Sequence, residues 1–450
     1  MHYYLIALAA VCLLVLLFVL PGGKNKEGRR GTGTKSDVVS ITHKIQAVPA
    51  KAVNIYIENS GSMDGYVNGN TEFKGAIRDL LVLLKHYYEK EGSIKVHFIN
   101  TKIRETDTKA DLATFATNIN TVWKVKDEDR GSSNLNNVFK MILEKTDKET
   151  ISILFSDCIY SIKGKNAEGL LSDQKSLTKD AFLSRWRLDS LKLATTIVKM
   201  NSKFRGTYYD KDNVTTILNG ETRPYYICVI GNNDIMLDFN AKIHLEREKI
   251  EGFDNKYVIS SGVADNIYYS VLLSTENVGR FKPIRKESAK NYVRGIEDVN
   301  MRNRSRDGSG NNNFTFAVAV DLKNVTAEED YLINPNNYTL GDNNFQIKEI
   351  KSINKNDIHA SDWLRINEAG PTHLIILEAT GTAISNVKVS LKKQMPQWIE
   401  QTNIIDDKDI RRSLDKTFGI KYLIEGIAEA YQVIYPNDKN FFQFEIKINK

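Results

Sequence analysis

One loop near the start of the chain carries the pattern with the most chemical content. Glu58, Ser60 and Ser62 take alternate positions in Glu58-Asn59-Ser60-Gly61-Ser62-Met63, directly after the apolar run VNIYI at residues 53–57. An acid and two hydroxyls at every second position, in a loop leaving a strand, place three oxygens on one side. Hard divalent cations such as magnesium take oxygen donors in near-octahedral geometry. Two more donors stand in comparable places. Ser133 follows Gly131 at the opening of a helical stretch, and Asp157 closes the apolar run ISILF at residues 151–155. Each can reach the same spot above a sheet.

Other chemistries find less support. Ser60 and Ser62 have no histidine assigned as a base, and no G-x-S-x-G elbow occurs, so nucleophilic hydrolysis lacks its machinery. A metal-activated water is the formal remainder. The run HLERE at 244–248 lacks the second histidine of a zincin helix, and GRRGTGTKS at 28–36 lacks both the lysine and the preceding strand of a phosphate loop. With only three cysteines, Cys12, Cys158 and Cys228, neither a disulfide framework nor a cysteine zinc site is built. Cys158 and Cys228 read as reduced core thiols.

The elements that must position the donors alternate in type. Residues 53–57 form a buried strand. Residues 72–91 show helical periodicity through Phe73, Ile77, Leu80, Leu81 and Leu84, ending at Gly92. A strand is expected at 94–99, helices at 111–119 and 135–143 (the latter capped by Ser132, Ser133 and Asn134), a strand at 151–155, a long helix at 179–200 and a last strand at 225–230. Residues 161–176, polar and glycine-containing, read as an inserted loop. Strands separated by helices imply crossover connections: an α/β fold with a doubly wound, mainly parallel sheet covered on both faces. Ligands of such sheets bind beyond the carboxyl ends of the strands, which is where Glu58 and Asp157 fall.

On these residues the chain resembles the von Willebrand factor A family and its metal-ion-dependent adhesion site. The family pattern is Asp-x-Ser-x-Ser after the first strand, a Thr in a later loop and an Asp after the fourth strand. Ser60 and Ser62 match the two serines, with Gly61 and Met63 fitting the common SGSM form, and Asp157 in LFSDC matches the late acid. Glu58 stands where the family has Asp, and Ser133 where it has Thr. The resemblance covers about residues 53–240. It implies Glu58, Ser60, Ser62, Ser133 and Asp157 as direct or water-mediated ligands of Mg2+ or Mn2+, and a protein partner whose acidic side chain completes the coordination sphere.

The rest of the chain frames this domain. At 450 residues it is long enough for two or three domains, and 62 Lys and Arg against 56 Asp and Glu leave a thinly spread excess that argues against a nucleic-acid binder. Residues 3–20 (YYLIALAAVCLLVLLFVL) are uncharged and almost wholly apolar, near the minimum of about 17–20 residues for a membrane-spanning helix. They lack the basic start and A-x-A end of a cleaved signal. An uncleaved single-pass anchor over residues 1–22 is expected, with a flexible linker at 23–49. Lys24, Lys26, Arg29 and Arg30 after it place the following domain on the cytoplasmic side. The α/β domain is expected at 50–245. Residues 246–450 carry strand-like runs at 266–273, 314–322, 345–350, 373–377, 387–391 and 441–448 and an amphipathic helix at 416–431, so a β-rich, sandwich-like domain with a C-terminal helix is expected. The function that follows is a membrane-anchored binding or scaffold protein rather than an enzyme. The alternatives are a scaffold with a degenerate, metal-free site and a metal-assisted hydrolase.

Overall fold

The computed structural model describes residues 47–88, 93–106, 115, 119, 130, 134–243, 245, 250–260, 267–301, 314–323, 325, 327–341, 344–379 and 384–449. The apolar run at 3–20 and the helix expected at 111–119 (save Phe115 and Ile119) therefore lie outside the described residues. No helix among the described residues is long and apolar enough to cross a membrane.

The β-branched run at the start of the described chain becomes β1 (Ala52–Glu58). It is central in a seven-stranded sheet with β2 (Ile94–Ile99), β3 (Ile103–Glu105), β4 (Thr150–Ser156), β5 (Leu193–Tyr209), β6 (Thr215–Asn232) and β7 (Phe253–Ser260), in the order β3-β2-β1-β4-β6-β5-β7. The sheet is mixed, which corrects the expectation of a mainly parallel one. Only β1–β2 and β1–β4 are parallel, while β2–β3, β4–β6, β5–β6 and β5–β7 are antiparallel.

The cause lies in residues 161–209, where the expected loop and helix are displaced. The helix runs over Ala167–Asp189 rather than 179–200, and 161–176 is largely helix rather than loop. Asn166 starts it by accepting the Gly169 N–H, and Ser190 stops it in the left-handed conformation with its N–H on the Trp186 carbonyl. Arg185 and Asp189, paired at 2.7 Å in the last turn, hold that end, and Asp189 also accepts the Leu191 N–H. The β-branched run Thr195-Thr196-Ile197-Val198 then belongs to β5, which turns back directly into β6 as a long hairpin. A hairpin needs no crossover, so these strands run antiparallel.

Helices cover both faces of the sheet, as expected. Alternate residues of the strands face opposite sides. Val53, Ile55 and Ile57 of β1, Ile153 and Phe155 of β4 and Ile227 and Val229 of β6 pack with α1 (Asp64–Val67), α2 (Glu72–Tyr88) and the helix Asn233–Lys242. Tyr56, Leu154, Tyr226 and Cys228 pack on the other side with Leu135–Lys145, Ala167–Asp189 and the amphipathic helix Ile420–Ile434. Phe418, Ile420, Leu423 and Ile427 are fully buried there. The sheet thus continues past residue 245 to β7, and residues 397–434 return from the second half of the chain to complete its far side.

The second half is β-rich. One sheet has the order 338–340, 387–392, 440–448, 295–300, 280–283, and another the order 345–352, 373–379, 315–320, 269–271. Phe316, Val318, Ile375 and Leu377 of the second share one core with Val387, Val389, Phe442 and Ile446 of the first. Residues on inner faces of two sheets sharing a core make a sandwich.

Candidate functional site

The parallel pairing of β1 with β4 sets Ile57 opposite Phe155. Glu58 and Asp157 therefore both stand at the carboxyl ends of neighbouring strands, Asp157 one residue beyond the end of β4. Both are almost wholly buried, at 3% and 4% exposed, as is Ser60 at 4%. Ser156 Oγ donates to Glu58 Oε2 and itself accepts the Cys158 N–H at 2.9 Å. Glu58, one methylene longer than aspartate, thus ties β1 to the end of β4.

The loop beyond β1 tightens at once into a 3-10 turn at Gly61–Met63, with the Met63 N–H on the Ser60 carbonyl at 3.1 Å. This turn sets Ser60 Oγ and Ser62 Oγ 3.0 Å apart. Ser62 also donates to the Asp157 carboxylate, whose Oδ1 accepts the Ile159 N–H at 3.2 Å. Burial pushes the Asp157 carboxyl above its ordinary value, and the Ser62 hydroxyl, the Ile159 N–H and the charge of Arg223 pull the other way. Three of the five expected donors, Ser60, Ser62 and Asp157, thus form a chain of contacts, and Glu58 is held at the neighbouring strand end through Ser156. Ser133 lies outside the described residues. Asn134, the next residue, caps the helix Leu135–Lys145 by accepting the Asn137 N–H at 3.1 Å.

Two arginines that sequence reasoning missed frame the cluster. Arg130 donates through Nε to the Asn59 carbonyl at 2.7 Å and through Nη2 to the Ser60 carbonyl at 3.2 Å, pairs with Asp64, and accepts the Gly61 N–H on its own carbonyl at 2.9 Å. It clasps the loop from outside. Arg223 lies on the part of the β5–β6 hairpin that projects past β4, whose last pairing is Ser156 with Tyr226. Only 1% exposed, it donates to the carbonyls of Ser413 at 3.3 Å, Leu414 at 2.8 Å and Lys416 at 2.8 Å and sits 4.9 Å from the Tyr208 ring centre. Tyr208 in turn donates to Asp407 Oδ2 at 2.6 Å, and Asp407, fully buried, also accepts the Lys211 N–H at 3.0 Å. Residues 407–416 are thereby strapped along the hairpin. The hairpin also closes on the loop. A Cβ on Gly65 would lie 2.3 Å from the Phe204 ring, and one on Gly206 would lie 2.9 Å from the Gly65 Cα. Neither arginine carries a spacing signal: Arg130 precedes a Gly-Ser-Ser run, and Arg223 is a lone cation before the apolar YYICVI.

Cys158 and Cys228 are free, buried thiols, as expected. Cys158 sits at φ 53°, in the left-handed region, at the sharp turn where the chain leaves Asp157. No family model matches the chain, and no curated protein matches it.

A divalent cation fits the donor set by its chemistry. Two hydroxyls and a carboxylate are all hard oxygen donors, and a buried carboxylate favours a cation that lets it ionise. Ser60, Ser62 and Asp157 would hold it, with Glu58 behind them. Such an ion would supply positive charge open to a further oxygen ligand.

Proposed function

We propose that this protein is a binding scaffold, anchored to a membrane by residues 3–20, that captures an acidic side chain of a protein partner through Mg2+ or Mn2+ at the Glu58–Ser62 loop. The observation that carries this reading is the contact chain Ser60–Ser62–Asp157 at the ends of two parallel strands, with Glu58 buried at the end of β1. The likeness to the von Willebrand factor A pattern supports it at Ser60, Ser62 and Asp157 and is weakened at Glu58. In this reading Arg130 and Asp64 position the loop, and Ser156 orients Glu58. This reading assigns no catalytic step to Ser60, Ser62 or Asp157.

A second reading has its own support. Arg130 and Arg223 bring two guanidinium groups to the cluster, and these favour a metal-free scaffold whose charge is balanced from within. Calorimetric titration of MgCl2 and MnCl2 into the full chain in detergent micelles separates the two. The first reading expects saturable binding, weakened at least about tenfold in Ser62→Ala and Asp157→Asn with unchanged circular dichroism. A folded parent that binds neither ion overturns it in favour of the second.

A further inference from the structure

Away from the loop, the edge strand β7, residues 327–337 of the sandwich and the connector 394–398 enclose a cleft of about 670 Å3. That is the size of a small-ligand site, about 300–1,000 Å3, and the junction of two packed halves is a common place for one. Two of its carboxylates are paired with lysines: Lys256 Nζ lies 3.0 Å from Glu328 and Lys199 Nζ lies 2.9 Å from Asp254. Glu329 hydrogen-bonds His373 Nε2, 3.2 Å from each of its oxygens. Asp330 adds an exposed carboxylate at the rim.

What remains to recognise a ligand is mostly uncharged. Tyr331, Trp398 and Phe441 supply aromatic faces, and Asn337, Gln394 and Gln397 supply amides. Several of these groups are held in place before any ligand arrives. Gln394 Nε2 donates to Asn337 Oδ1 at 2.9 Å, and Asn337 Nδ2 donates to the Tyr331 carbonyl at 2.9 Å. The Tyr331 hydroxyl donates to the Lys392 carbonyl at 2.7 Å and accepts the Gln394 N–H at 3.3 Å. The relay ends on the Gln394 Oε1 acceptor. The Trp398 Nε1–H is shielded from solvent, so Trp398 serves the cleft by its ring rather than by its N–H.

An anionic ligand would have to displace a carboxylate from Lys256. A hydroxyl-rich neutral ligand would not. Amides both donate and accept, as hydroxyls do, and aromatic rings present a flat apolar face to the C–H face of a pyranose ring. We propose that this cleft binds a neutral carbohydrate, either a free oligosaccharide or the terminal sugars of a larger glycan.

The test uses the full chain in a detergent without a sugar headgroup, applied to an array of immobilised neutral, sialylated and sulfated glycans. Titration with the free oligosaccharide of the strongest neutral spot follows. Retention on at least one neutral glycan is expected, weakened at least tenfold in Trp398→Ala and in Gln394→Ala and unchanged in Ser62→Ala. Gln394 is exposed, so its truncation leaves the fold intact should Trp398→Ala unfold the chain. Binding of the free oligosaccharide assigns a soluble ligand, and retention on the array alone assigns a carried glycan. A folded protein that retains no neutral glycan, retains only acidic ones, or binds as well after Gln394→Ala overturns the proposal.

Discussion

The two halves of the seven-stranded sheet solve different problems. On the β2-β1-β4 side, parallel strands bring their carboxyl ends to one rim, where Glu58, Ser60, Ser62 and Asp157 stand. On the β6-β5 side, a hairpin needs no crossover, so β5 and β6 continue far past that rim, close on the loop through Phe204 and Gly206 and hold residues 413–416 through Arg223. One half supplies donors and the other supplies their cover. A binding rim and the wall that shields it therefore need not share a connection rule.

The largest expected effect comes from cutting the tie between the two. Arg223→Met should cost about 3–5 kcal/mol, because it leaves the carbonyls of Ser413, Leu414 and Lys416 without their buried donor. Urea denaturation reads the loss, and hydrogen exchange should quicken over 407–416. A loss under about 1 kcal/mol would mean that the hairpin and strap hold without this residue.

Ser156→Ala acts on the donor side. It removes the hydroxyl that serves both Glu58 and the Cys158 N–H, so a loss of roughly 2–3 kcal/mol is expected in the same denaturation assay. Equal stability would show that Glu58 does not depend on β4 for its place.

Gly65→Ala tests the closeness of the cover. The added methyl meets the Phe204 ring, and overpacking of this kind costs about 1–3 kcal/mol. Phe204→Leu in the same chain should recover part of the loss. If the double variant is no better than Gly65→Ala, the contact is not what limits the fit.

The smallest effect is one of pH. Burial raises the Asp407 carboxyl above the ordinary aspartate value of about 3.9, while the Tyr208 hydroxyl opposes the shift. The folded state therefore binds this proton more tightly than the unfolded chain. Its contribution is complete below the unfolded value and is lost as pH rises through the folded one. Asp407→Asn, which never ionises, should flatten the stability profile between about pH 4 and neutrality. Denaturation midpoints that keep the parent slope would assign the pH dependence to other groups.

The same comparison explains what could be read from the sequence. In the parallel half, each strand is a short apolar run closed by a polar cluster, and each helix has its own periodicity. Residues 53–57, 94–99 and 151–155 and the helices after Glu72 and Leu135 were legible for that reason, and so was the donor loop. In the antiparallel half the signals overlap. The apolar residues of 179–200 keep a helix-like spacing across Ser190, whose left-handed φ of 55° marks the break without the glycine that usually announces one. β7 (FDNKYVIS) has a half-exposed side and no clean alternation. Arg223 was invisible because its partners are backbone carbonyls about 190 positions away. In the sandwich, strands such as 315–320 and 373–379 were readable as runs, but the return of 397–434 to the sheet was not, since an amphipathic helix does not say which core it joins.

That return has a consequence for synthesis. The chain leaves the sandwich after residue 392, lays the helix Ile420–Ile434 on the first sheet, and comes back as 440–448, an inner strand of the five-stranded sheet. A nascent chain that has emerged only to residue 390 has most of its strands and neither finished core. Both halves must wait for the same stretch, residues 397–448, before either core can close. A ribosome that stalls in that stretch would release a polypeptide with two exposed apolar faces, a natural substrate for chaperones and proteases.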